Sequence, residues 1–204
     1  MATIAPKEIT PIIRKLCQQI NSGEKPVWIP VQVVAGAVPN ECFGNAVMKI
    51  ANSGGTIQYG WTIWEWKDVL VEGEFHAVWR SPEDQLLCVS PQVNGEKRVL
   101  FLPDNSRTWD EKNRIDNIRI PLRQDSVVMD FIAVKQELTK EMNALASSQF
   151  GVVAFTPSER FTELSIQERA LFKKINELSP IPKGNNFCGC GSGKKYKKCC
   201  GSNS

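Results

Sequence analysis

Two groups of residues in this chain have types and spacings that could do chemistry, and both are built on cysteine. The denser group ends the chain: Cys188-Gly189-Cys190, eight intervening residues, then Cys199-Cys200. Two close thiolate pairs joined by a short Gly-rich turn can set four sulfurs at the corners of a tetrahedron, the arrangement structural Zn²⁺ prefers. Gly191 and Gly193 permit the tight reversal this needs. Four thiolates leave the metal site negative, and Lys194, Lys195, Lys197 and Lys198 partly offset that charge. With sulfur at every position no site is left for water, so the pattern predicts one structural zinc ion and no metal catalysis. Disulfides or free thiols are the competing reading, and dense cysteines in a chain without an export signal favour metal over both.

The second group lies in the body. Cys42 falls at the start of an expected helix, within Asn40-Glu41-Cys42-Phe43-Gly44-Asn45, and His76 sits on an expected strand, within Glu74-Phe75-His76-Ala77-Val78-Trp79. A thiol in the first turn of a helix meets unpaired N–H groups and the positive end of the helix dipole, which lower its pKa. The same N–H groups can stabilise an oxyanion. His76 is the only histidine, so it is the one imidazole base the chain could use. Cys42 as nucleophile and His76 as base make the smallest set able to run cysteine acyl transfer. A third, orienting group is expected on the returning strand from Cys88, Ser90 or Gln92, which would share one face by period two. Gln92 completes the expected catalytic set with Cys42 and His76. Core packing is the competing reading for Cys42 and His76. Cys17 reads as a core residue, and Cys88 as core, orienter or a partner for Cys42 under oxidation.

The tail, Phe187-Cys188-Gly189-Cys190-Gly191-Ser192-Gly193-Lys194-Lys195-Tyr196-Lys197-Lys198-Cys199-Cys200-Gly201, closely resembles the SEC-C motif of bacterial proteins. That family usually carries Pro where Gly189 stands, and takes His or Cys at the fourth ligand position, here Cys200. The resemblance implies a small basic docking module. In the preprotein translocase motor ATPase the motif contacts a chaperone and the ribosome. In the body, the order of Cys42, then His76-Ala77-Val78-Trp79, then Val89-Ser90-Pro91 resembles papain-like cysteine enzymes, the transglutaminase-like and NlpC-like branches above all. The transglutaminase-like pattern places an Asp before Pro, and the corresponding place in this chain is Cys88. The resemblance implies a papain-like fold and a thiol protease or related hydrolase.

The elements that must position these residues can be read from pattern. Residues 9–20 predict a helix capped by Thr10, with Pro11 in its first turn and Ile12, Ile13, Leu16 and Ile20 on one side. A second helix is expected from residue 40 or 41 to about residue 51. Strands are expected over 56–66, 74–80, 86–90 and 98–102, the second and third forming a hairpin. Residues 104–124 are polar and carry no clear pattern. Helices are expected over 127–147 and 165–178, the latter opened by a Ser165–Glu168 capping box. The Trp cluster of Trp61, Trp64, Trp66 and Trp79 predicts core or groove wall, with Trp64 and Trp66 on one face and Trp61 on the other; a stacking platform for sugar or base is the alternative. No carboxylate pair among Glu65, Glu72 and Glu74 has the spacing glycosidase chemistry needs.

Composition sets the outer limits. Of 204 residues, 42% are apolar and 23% charged, which excludes wholesale disorder. No apolar run reaches the roughly 18 residues of a membrane helix. The first twenty residues lack the charge and apolar pattern of a signal peptide, so a cytoplasmic chain is expected. The net charge of +3 hides an uneven split. Residues 183–204 hold five lysines and no acid, while the remainder has 20 basic and 22 acidic groups. Attraction to nucleic acid or an acidic protein therefore belongs to the tail.

Together these readings predict an α+β chain: a globular domain over 1–178 with an antiparallel sheet and packed helices, a linker over 179–186, and a zinc knuckle over 187–204. The expected function is a cytoplasmic cysteine hydrolase or acyltransferase acting on a peptide or isopeptide bond, delivered by its zinc-binding tail. The alternative is a non-catalytic adaptor whose basic tail binds ribosome, chaperone or nucleic acid through protein–protein or polyanion contacts.

Overall fold

One long hairpin organises the chain. A computed structural model describes residues 3–110, 113–149, 152–154, 157–178 and 194–198. In it β2 (Thr56–Trp66) pairs antiparallel with β3 (Leu70–Arg80) along its whole length, from Thr56 opposite Arg80 to Trp66 opposite Leu70. The Thr, Ile, Tyr and Trp content of β2 suits a pleated surface buried on both faces. β1 (Val27–Pro30) and β5 (Arg98–Pro103) extend the sheet beyond β2. β4 (Leu86–Leu87) and β6 (Ile118–Pro121) share the other edge of β3. Past β4 the chain turns toward β1. The Cys88 amide donates to the Pro30 carbonyl at 3.0 Å, and the Cys88 carbonyl accepts from Gln32 at 2.8 Å. A parallel bridge between Val31 and Cys88 thus brings the two ends of the sheet together into a near-barrel.

The fold is α+β, and each face of the sheet has its own cover. α1 (Pro11–Ile20) begins at Thr10, whose side chain accepts from the Ile13 amide at 3.4 Å. Its Ile13, Leu16 and Cys17 bury against Trp61, Ile63, Val71, Phe75, Leu100 and Leu102, so Cys17 is a core residue. α2 (Cys42–Ser53) lies on the same face through Ala46, against Ala77, Trp79 and Val89. The turn from α2 into β2 needs Gly55, which has φ +85° and no room for a Cβ beside the Arg80 carbonyl. On the opposite face, Ile29, Val78, Cys88, Val99 and Phe101 fill the near-barrel. At its other end α3 (Ser126–Leu145) and α4 (Glu159–Leu178) cover Trp66 and Leu70. Between these helices lies a short hairpin of β7 (Ser147–Gln149) and β8 (Val152–Ala154).

Several expectations need correction. β3 starts at Leu70, earlier than expected, because the 56–66 strand finds its partner there. The hairpin expected between 74–80 and 86–90 exists but pairs only Trp79 with Leu87 and Arg80 with Leu86. Within the polar stretch 104–124, β6 pairs with β3. α4 opens at Ser158, whose hydroxyl accepts from the Phe161 amide at 3.0 Å, and not at Ser165. Ser165 donates back to the Phe161 carbonyl at 2.8 Å inside the helix, while Glu168 pairs with Lys135.

Candidate functional site

The candidate site forms where the edge of β3 away from β2 has, among the described residues, no strand neighbour. On that edge β6 pairs with Leu70 to Gly73 and β4 with Trp79 and Arg80, leaving residues 74–78 paired with neither. His76 is the middle residue of this gap. Period two puts His76 on the face of Glu74 and Val78, and Ala77 on the face that α2 covers. Opposite His76 is Gly60, where a Cβ would strike the Phe101 ring and the Leu102 carbonyl. The Phe101 ring thus lies over Gly60, the cross-strand partner of His76.

The side chain brought to His76 is Cys88. Its Sγ lies 3.5 Å from His76 Nε2, and the Gln92 amide donates to the same sulfur at 3.2 Å. Gln92 also donates to the Ser90 carbonyl at 2.9 Å, so it reaches His76 only through Cys88. Ser90 turns elsewhere, its hydroxyl accepting from Asn45 of α2 at 3.0 Å. The expectation that Cys88, Ser90 and Gln92 share one face fails because the strand ends at Leu87 and the chain then bends toward β1.

Cys42 is the first residue of α2 and packs against Ala77, Trp79 and Val89. Its thiol meets the backbone of Ala77, next in the chain to His76, and lies near enough to Glu74 and Cys88 to feel their charge. The described contacts include no hydrogen bond between Cys42 and His76. Cys42, His76 and Cys88 therefore gather around one gap, with the direct thiol–imidazole contact made by Cys88.

Electrostatically the group is at rest. Burial pushes the Cys42 thiol up to about 12; the Ala77 backbone opposes this, and Glu74 and Cys88 add to it. The lowered pKa expected of a helix N-terminus is thus overturned, because desolvation outweighs the helix dipole. Burial likewise lifts Cys88 to about 11 and drops His76 to about 4. At neutral pH both thiols and the imidazole are uncharged. Glu74, on the face of His76, accepts from the Trp64 indole at 2.7 Å, and burial holds its carboxyl above the usual range. Its i, i+2 spacing from His76 was the available sequence signal for this neighbour.

The tryptophans divide as expected, Trp64 and Trp66 on one face and Trp61 on the other. Trp61, Trp66 and Trp79 are buried core rings, not an exposed platform. The Trp61 indole donates to Asp104 at 2.9 Å. Burial pushes the Asp104 carboxyl up, but bonds from Ser106 and Trp61 and the Arg107 charge outweigh it and hold the pKa low.

Cys188, Cys190, Cys199 and Cys200, like the linker over 179–186, lie outside the described residues. Among the described residues no group of three or more His, Cys, Asp or Glu side chains could hold a metal. Nor is any described helix long and apolar enough to cross a membrane.

Comparison with known proteins adds one short likeness. A UPF0225 protein of Serratia proteamaculans (strain 568) is 51% identical over 43 residues, 21% of this chain and 27% of that protein. The chain thus spans about a quarter of the curated relative it matches. No family model matches, and no solved structure does.

Proposed function

We propose that this protein is a non-catalytic adaptor, in which the near-barrel body is joined to a zinc-organised basic tail that docks on an anionic surface of a ribosome, chaperone or nucleic acid. The observation that carries the reading is the charge split: five lysines and no acid in residues 183–204, against an acidic remainder. Four of those lysines, Lys194, Lys195, Lys197 and Lys198, are exposed around the short 3-10 turn Tyr196–Lys198. The neutral, buried state of Cys42, His76 and Cys88 further supports a body that binds without thiol chemistry. In the tail, Cys188, Cys190, Cys199 and Cys200 would hold one structural zinc ion, in keeping with the resemblance to the SEC-C motif.

Fluorescence anisotropy with a single-stranded RNA oligonucleotide as polyanion probe tests the reading. The full chain should bind with a log–log salt slope of up to about −3, since four lysines neutralising phosphates release counterions at roughly 0.7 each. Replacing Lys194, Lys195, Lys197 and Lys198 with Gln should abolish that binding. Affinity unchanged by the replacement, or no salt-sensitive binding by the intact chain, would overturn the adaptor.

A second reading, the papain-like thiol hydrolase or acyltransferase acting on peptide or isopeptide bonds, is favoured by the 3.5 Å contact between His76 and Cys88 beside Cys42. In this reading His76 takes the Cys42 proton once substrate opens the gap, and Cys88 with Gln92 orients the ring. Cys88 is a weaker orienter than a carboxylate, because it brings no charge to stabilise an imidazolium.

A further inference from the structure

Inside the body, one pair of metal-ligating side chains is held in contact. Cys88 Sγ lies 3.5 Å from His76 Nε2, two atoms that the bend after Leu87 brings together. Cys88 is fully buried and His76 is 9% exposed. The Gln92 side chain donates to the sulfur at 3.2 Å, so the thiol's own proton is left for another acceptor. Nε2 at 3.5 Å is the nearer one, against the Ser90 carbonyl at 3.9 Å. This arrangement puts the ring proton on Nδ1 and a lone pair on Nε2. A sulfur and a ring nitrogen facing each other across one proton are two donors already aimed at a shared point.

We propose that His76 and Cys88 bind one monovalent thiophilic metal ion, Cu(I), which takes the place of the shared proton. Metal–sulfur and metal–nitrogen bonds of about 2.3 and about 2.0 Å together exceed the 3.5 Å separation, so one ion touches both donors as a bent bridge. Soft thiolate ligands select Cu(I), and burial fixes the charge of the ion. A thiolate, a neutral imidazole and a 1+ ion sum to zero, which a desolvated site tolerates; Zn²⁺ would leave a net positive charge there. Structural Zn²⁺ also needs four donors. Among the described residues, no third His, Cys, Asp or Glu joins this pair to hold a metal. Cu(I) is content with two or three. In binding, the Cys88 S–H bond breaks and a sulfur–copper bond forms. The proton passes to the small-molecule thiolate that gives up the ion, and copper stays monovalent. Gln92 remains as the outer hydrogen bond on the sulfur. The site uses no residue of the tail and stands apart from the adaptor reading.

His76 is the only histidine, so its ring nitrogens report on this site without overlap from the tail cysteines. The zinc-loaded full chain, isotopically labelled at those nitrogens, is titrated without oxygen with Cu(I) carried by glutathione and followed by NMR. The Nε2 resonance should shift and saturate, while Zn²⁺ at the same excess leaves it in place. Cys88→Ser should abolish the shift. Gln92→Ala, at a partly exposed position, should weaken the apparent affinity about tenfold. The imidazole spectrum of each variant before copper is added reports its fold, and the wild-type titrations decide alone if Cys88→Ser does not fold. An Nε2 signal unmoved once Cu(I) exceeds the thiols of the chain, an undiminished response in both variants, or an equal shift with Zn²⁺ would each overturn the site.

Discussion

His76 should make the protein acid-sensitive by an amount its burial fixes. An unfolded histidine titrates near its ordinary 6.5, whereas the folded imidazole takes a proton only near about 4, since burial disfavours its charged form. Between those values the unfolded chain binds the extra proton, so stability present above 6.5 is lost as pH falls toward 4. From about pH 7.5 to about pH 5 the loss is about 2 kcal/mol, rising to roughly 3 kcal/mol by about pH 4. Glu74 works in the opposite direction. Burial holds its folded carboxyl high, so falling pH favours the folded state at that site. Urea unfolding of wild type and His76→Gln at the two higher pH values cancels Glu74 and other shared groups. The wild type should lose about 2 kcal/mol more than the variant on acidification. Parallel losses would mean that the folded imidazole protonates freely, and would refute its burial beside Cys88.

Two further outcomes follow from the same geometry. Gly60→Ala should destabilise the fold by about 3 kcal/mol or more, because its Cβ meets the fixed Leu102 carbonyl as well as the Phe101 ring; Gly44→Ala, with nothing within 4 Å at an exposed position of α2, should stabilise by up to about 1 kcal/mol, both read from denaturant midpoints. Metal analysis of the purified chain should give one zinc ion per molecule, and the joint Cys199→Ser, Cys200→Ser replacement should remove it while leaving the body's thermal transition in place.

Local patterns in the sequence carried much of this fold, and long-range ones did not. The Thr10 cap, Pro11 and the apolar spacing of α1 are local, as is the β-branched and aromatic run of β2. The face assignment of Trp61, Trp64 and Trp66 needed only period two. By contrast, β6 is recognisable only through its pairing with β3, since Ile118–Pro121 is a short run inside polar sequence. At the site, Cys42, His76 and Cys88 could be singled out as residue types at suggestive spacing. Which of them touch depends on the bend after Leu87 and the bridge from Cys88 to Val31, contacts between segments far apart in sequence. The pKa direction was also out of reach. A helix N-terminus argues for a thiolate, and only the packing of Ala77, Trp79 and Val89 around Cys42 reverses it.

The proposed adaptor rests on a body whose thiols, Cys42 and Cys88, and imidazole, His76, are held neutral by burial. Peptide-resolved mass spectrometry of iodoacetamide labelling, on the intact zinc-loaded chain at about pH 7, tests it most directly. With burial holding its thiol up at about 12, Cys42 should label at least tenfold more slowly than free cysteine, and equally slowly in His76→Gln. A Cys42 that labels as fast as free cysteine, and slows when His76 is replaced, would contradict the claim and establish a working thiolate–imidazolium pair.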